Sequence, residues 1–166
     1  MYNIMGKWRY LSMHDAMDVA EYVLDYCEHE KKNPITNLQL QKFLYYIQGA
    51  NLVLNDEPIF DNDIIAWQYG PVVPDVYYSY SNYYSKKITG VFPRRVDNFN
   101  ENEIAVIEKV VDILINIDIW DIVNETHKQE PWIINQGCRC KIFCGEIKNW
   151  FKNNWGQIWS VYRQTV

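Results

Sequence analysis

Residues 38–49, LQLQKFLYYIQG, and residues 66–77, AWQYGPVVPDVY, decide how this chain folds. In the first stretch Leu40, Phe43, Leu44 and Ile47 recur at helical spacing, and Ala50 and Leu54 extend the stripe. Thr36 with Gln39 forms a capping box just ahead of it, so the pattern predicts a long helix with one broad apolar face. Gly49 inside that helix costs about 1 kcal/mol relative to alanine, which points to a close backbone approach. Before the second stretch, Ile59-Phe60 and Ile64-Ile65 read as extended, and so does Trp67–Tyr69 within it. Asp61-Asn62 is the expected turn of a small hairpin, and Gly70-Pro71 ends the piece sharply. Pro74 suits the first turn of a helix running to about Tyr84, with Tyr77, Tyr80 and Tyr84 on one side.

The flanking segments are helical too. Ser12 and Asp15 resemble a capping box for the stripe Ala16, Val19, Ala20, Val23, Leu24, Cys27, which ends near His29–Lys32 ahead of Asn33-Pro34. Residues 85–100 read as an irregular connector. Asn100 and Glu103 then open a helix that buries Ile104, Ile107, Val110, Val111 and Leu114. Ile119–Thr126 is a compact helix with Ile119, Ile122 and Val123 inward. After a loop carrying Pro131, a helix from about Gly145 to Asn154 turns Ile147, Trp150 and Phe151 to the core. Ile158, Trp159, Val161 and Tyr162 make the tail too apolar for a solvated end, so it is expected to pack on the body or on a partner. The expected fold is mainly α: a single compact helical domain over residues 1–166, with about six helices and a small β-hairpin-like extended insert. Its core spans about 13–151, followed by an aromatic C-terminal extension at 155–166.

Composition bounds the function. A net charge of −5 and a pI near 5.2 repel phosphate backbones and anionic membranes, so direct nucleic-acid binding is disfavoured. The basic pairs Lys31-Lys32, Lys86-Lys87 and Arg94-Arg95 read as solvated loop or helix-end residues. No apolar run approaches the roughly 18 residues a membrane span needs. The opening MYNIMGKWRY lacks the apolar region of a signal peptide, which implies a reducing cytoplasm in which the four cysteines are thiols. The 13 Tyr and 7 Trp are many for this length; most belong in a core, and the remainder suit a surface that grips another protein.

Catalytic signatures are missing from the sequence. There is no glycine-rich phosphate loop, no paired histidines at i, i+4 and no nucleophile elbow, so neither an enzyme nor a cofactor is expected. Cys138, Cys140 and Cys144 fall within one short stretch and form the sole metal candidate, a zinc site with Cys27 or a histidine as fourth ligand. Their C-x-C-x3-C spacing is not that of zinc knuckles, and reduced cysteines in a loop and helix start are the plainer reading. His127 follows a helical stripe, where a histidine caps or packs; partner contact and catalysis are the alternatives. Trp67, Gln68 and Tyr69 form either one core-facing edge or a rigid aromatic ledge of the kind that anchors interfaces.

LQKFLYYIQG (40–49), Phe60, AWQYGPVVPDVY (66–77), Ile88, THKQEPW (126–132) and IKNWF (147–151) together resemble the Panacea domain, the SocA-like antitoxin family of bacteria, prophages and phages. The resemblance spans about Met13–Phe151, and the order of its motifs is as specific as their content. It implies a mainly helical domain without catalysis, serving as the antitoxin of a two-gene system. Such a domain neutralises a protein toxin by contact, and in one branch delivers it to a Clp-type protease. A second reading is a phage protein that blocks a host defence complex, such as a CRISPR effector, by protein binding. The matched positions are Leu40, Gln41, Lys42, Leu44, Tyr45, Gln48 and Gly49, then Ala66, Trp67, Tyr69–Val73 and Tyr77, then His127 and Trp132. Those that an ordinary core does not explain are the partner-binding candidates: Gln41, Lys42, Tyr45, Gln48, Trp67, Tyr69, His127 and Trp132. If the Gly70-Pro71 corner folds back on the helix, they meet in one cluster, as a buried polar network or as a gripping surface.

Overall fold

The computed structural model describes residues 13–90 and 98–163. Helices dominate: α1 (Ala16–Asp25), α2 (Asn37–Leu54), α3 (Pro74–Ser79), α4 (Glu101–Leu114), α5 (Ile119–Thr126), α6 (Glu130–Ile133), α7 (Cys144–Asn153) and α8 (Trp155–Arg163). One antiparallel sheet of three short strands, β1 (Ile64–Trp67), β2 (Gly70–Val72) and β3 (Lys141–Ile142), has the order β2-β1-β3. The six expected helices are all present. The two additions are α6, a single turn started by Pro131, and α8, formed by the aromatic tail.

α2 organises the rest. Its N-terminus carries the expected reciprocal cap, with the Gln39 N–H donating to Thr36 and the Thr36 N–H donating to the Gln39 side chain. α1, α4, α5, α7 and β2 pack around it, and 14 of its 18 residues are buried, so it has no solvent face. The expected single apolar face is therefore too narrow a description. Leu54, placed on that face from the sequence, stands 57% exposed at the helix end. Gly49 answers its expected purpose, although what approaches is a ring. A Cβ there would lie 2.4 Å from the Phe151 ring of α7, which packs edge-on between Tyr45 and Tyr46.

α1 starts at Asp15, whose carboxylate accepts from the Met17 N–H; Ser12 lies outside the described residues, as do Arg94 and Arg95. α1 runs into a wide turn over Tyr26–Glu30, close to the expected end. α4 carries the second predicted capping box, Asn100 with Glu103, and buried Glu103 also bonds His14 at 3.0 Å. α3 stops at Ser79 rather than near Tyr84, and Tyr84 is 83% exposed with a positive φ of 54°. On α8 Ile158, Trp159 and Tyr162 are buried, so the tail packs on the body.

The hairpin differs from its expected form. β1 and β2 pair as Ile65↔Val72, Ala66↔Pro71 and Trp67↔Gly70, which places the turn at Gln68-Tyr69 and not at Asp61-Asn62. Gly70 does not end the insert; it opens β2 with φ +103°, a value that favours glycine. Asn62 serves α1 and α3 instead, accepting from the Ala16 N–H at 2.8 Å and donating to Asp75 at 3.0 Å.

The cysteine expectations are corrected as well. Cys138 and Cys140 are joined as a disulfide, so the four cysteines are not all thiols. Cys144 Sγ accepts from the Gln48 amide at 3.7 Å, and no cluster of metal-ligating side chains exists among the described residues. For the zinc alternative, Cys138 and Cys140 are tied up in the disulfide, and the free Cys144 meets no convergent set of ligands among the described residues. Among the described residues no helix is long and apolar enough to cross a membrane.

Candidate functional site

The eight candidate residues separate into two layers. Gln41, Lys42, Tyr45 and Gln48 are each 1% exposed or less and bond internally. In this conformation they offer no surface to a partner; they hold the backbone of other segments. β2 is an edge strand, where proline's missing N–H is tolerated and a neighbour is needed to cover unpaired groups. Side chains of α2 supply that neighbour. Gln41 accepts from the Val73 N–H at 2.9 Å and donates to Asn37 at 2.9 Å, and Asn37 in turn donates to the Tyr77 carbonyl at 3.0 Å. Lys42 Nζ donates to the Pro71 carbonyl at 2.7 Å.

Further along α2 the same device fixes other segments. Gln48 accepts from the Ile59 N–H at 2.9 Å and donates to the Phe60 carbonyl at 2.8 Å, while Asn51 donates to the Glu57 carbonyl at 2.7 Å. Tyr45 donates to the Gln129 side chain at 2.8 Å, Gln129 donates to Tyr46 at 2.9 Å, and Tyr46 shares a 2.6 Å bond with Tyr162 of α8. Buried polar groups that are satisfied in this way specify one arrangement of the segments they join.

Lys42 is the electrostatic exception. No carboxylate pairs with it among the described residues, and burial alone lowers its pKa from 10.5 to about 7. Directly above it, a Cβ on Gly70 would sit 2.6 Å from Thr126 Oγ1 and 3.0 Å from Lys42 Nζ. The hairpin backbone therefore rests on the lysine and on the end of α5 with no room between them.

Trp67, Tyr69, His127 and Trp132 form the outer layer around the hairpin turn. Trp132 is buried, stacks on His127 with ring centres 4.0 Å apart, and donates its indole N–H to the Trp67 carbonyl at 2.8 Å. His127 is half-buried, with its Nε2 unpartnered. Burial pushes its pKa below the ordinary value, a backbone bond at Gln68 opposes this, and Lys42 adds to the lowering. It has the packed, neutral character of a structural histidine, and among the described residues no nucleophile stands in hydrogen-bond contact with it.

The exposed part is aromatic. Trp67 is half-buried and packs edge-on against Tyr77 at 5.0 Å and Tyr78 at 5.9 Å. Tyr69, at the turn, is 48% exposed and meets Trp120 of α5, 52% exposed, edge-on at 5.6 Å. Tyr78 is 65% exposed. Two recesses of about 420 and 250 Å³ flank Trp67 and Gln68, and Arg139 from the disulfide loop lines both. Sequence reasoning missed Trp120, Tyr78 and Arg139 as members of this face. Trp120 had a signal, since it lies off the inward stripe Ile119, Ile122, Val123; Arg139 had none, because only β3 pairing with β1 brings its loop here.

Comparison with known proteins places this region in context. The family described as Antitoxin SocA-like, Panacea domain, matches residues 40–133, more than half of the chain. Those bounds run from the start of the buried network to the end of α6, and they enclose the hairpin and its aromatic surround. Antitoxin SocA of Caulobacter vibrioides (strain NA1000 / CB15N) is 42% identical over 67 residues, covering 40% of this chain and 35% of that protein. The match thus spans about a third of that relative's length. No solved structure matches.

Proposed function

This chain belongs to the SocA-like antitoxin family through its Panacea domain, and we propose that it neutralises a protein toxin by direct binding through the aromatic face around Tyr69 and Trp120. The observation that carries the reading is the exposed Tyr69–Trp120 pair, in which Trp120 stands on α5 and Tyr69 on a turn whose flanking backbone is bonded by Gln41, Lys42 and Trp132. Aromatic anchors on a fixed backbone bind with little ordering cost, and they are the side chains that dominate interface energetics. The reading assigns no catalytic step and no cofactor to the chain. Steric blocking and delivery to a Clp-type protease are two routes to the same protection; the toxin's lifetime in cells with and without this protein separates them.

Co-expression with the product of the adjacent gene is the test. That product alone is expected to arrest growth, and this protein to restore it. Tyr69→Ala/Trp120→Ala should lose the rescue while keeping stability within about 0.5 kcal/mol, as surface substitutions do. An adjacent gene without toxicity defeats the two-gene reading, and full rescue by the double variant places the contact elsewhere. The net charge of −5 supports the second reading, in which an acidic protein occupies a basic channel of a host defence complex. Recovery of a nuclease on this protein from host lysate, lost on adding salt, would favour it.

A further inference from the structure

A recess of about 480 Å³ lies between the C-terminal end of α2, α4 and α8, and shares no residue with the hairpin face. Its apolar wall is made by Val106, Val110 and Ile113 of α4 with Trp155 and Trp159 of α8, and exposed Leu54 extends it. Two cations, Lys109 and Arg163, line it, and no acidic side chain does. Among the described residues neither cation is engaged in an ion pair or hydrogen bond, in a protein whose net charge is −5. Trp159 is only 7% exposed, and its buried indole N–H has no acceptor.

These features ask for one kind of occupant: apolar on one side, anionic on the other. Val106, Lys109, Val110 and Ile113 fall at spacings of three, one and three on α4, so one cationic position sits among apolar ones on a single helix face. A helix laid in such a groove presents its own residues at the same spacings. We propose that this recess docks an acidic amphipathic helix of a protein partner, its apolar residues against Trp155 and Leu54 and its carboxylates on Lys109 and Arg163. The site goes beyond the antitoxin reading. Its Trp155, Trp159 and Arg163 come from α8, which lies outside the family match at residues 40–133.

The test uses the full chain and two labelled sixteen-residue peptides with leucines at i, i+3, i+4 and i+7, one with glutamates and one with lysines at the other positions. Fluorescence anisotropy is expected to show binding of the glutamate peptide that weakens with added salt. Lys109→Glu/Arg163→Glu should weaken it at least about tenfold, and the lysine peptide should bind the parent at least about tenfold less well. Both cations are exposed, so circular dichroism of the variant should match the parent. No binding of the glutamate peptide, equal binding of both peptides, or unchanged binding to the variant overturns the proposal. Dodecanoate that binds where the glutamate peptide does not makes the recess a small-anion pocket and overturns it too. No toxin enters this assay, so its failure leaves the antitoxin reading standing; loss of growth rescue, in turn, leaves peptide binding untouched.

Discussion

The stability difference between this protein and its Lys42→Met variant is expected to move by about 2 kcal/mol in favour of the parent between pH 7 and pH 9. Lys42 titrates near pH 7 when folded because burial disfavours its charge, and near its ordinary value of about 10.4 when unfolded. Between those values the unfolded chain binds one proton more than the folded one. Stability therefore rises with pH across this window, by at most about 1.4 kcal/mol per pH unit. At pH 7 the folded amine is only half deprotonated, which trims the full two-unit gain to the stated figure. His127 adds nothing here, because its lowered pKa moves stability only below about pH 6.5. Cys27, held near 12 by burial, acts in the opposite sense once the unfolded thiol ionises above about 8.5. It is present in both proteins and cancels in the difference. Methionine keeps the length of the stem and removes the titration, with a pH-independent offset from losing the bond to Pro71. The assay is urea unfolding followed by tryptophan fluorescence, in half-unit steps of pH at fixed ionic strength, with equal m-values required of both proteins. Parallel pH profiles for parent and variant would refute the reasoning, and would mean that Lys42 is compensated in the folded state.

Three further predictions concern the scaffold and the face. Gly49→Ala gains about 1 kcal/mol of helix propensity but drives a methyl into the Phe151 ring, for a net loss of about 1–3 kcal/mol by thermal unfolding. Phe151→Leu in that background should recover part of the loss, whereas in the parent it should only destabilise. Gln48→Leu strands the Ile59 N–H and the Phe60 carbonyl and is expected to cost about 2–4 kcal/mol by urea unfolding, with amide exchange of Ile59 accelerated first. Tyr78→Ala should leave the melting temperature unchanged and, under the proposed function, weaken binding of the toxin by calorimetry, because its ring is mostly exposed beside Trp67.

What could be read from the sequence was what is decided locally. The boxes Thr36/Gln39 and Asn100/Glu103 close within four residues, so their residue types announce them, and the helices they start were legible. The hairpin turn was not, because Asp-Asn is ordinary turn chemistry and only the paired register shows that Gln68-Tyr69 makes the reversal. Gly70 beside an aromatic pair was the overlooked clue. Gln41, Lys42 and Gln48 form a polar set on an otherwise apolar helix, the pattern of a solvent face. Their partners lie 32, 29 and 12 residues away, at distances no local pattern reports. Whether such side chains grip a partner or hold the chain's own backbone is decided by tertiary structure alone.

That outcome explains why the matched motif is so dense in amides and rings. Each buried amide or amine side chain of α2 bonds a backbone group of another segment: the loop before β1, β2, or α3 and its start. A side chain that serves a backbone group constrains where a segment lies without constraining its side chains. The Tyr69 position is therefore free to vary chemically while the hairpin that carries it stays fixed. A scaffold of this kind can present different anchors to different partners at little cost in stability, since exposed substitutions seldom exceed about 0.5 kcal/mol. Under the proposed function, specificity resides in the exposed rings, and the buried amides set the frame that positions the hairpin.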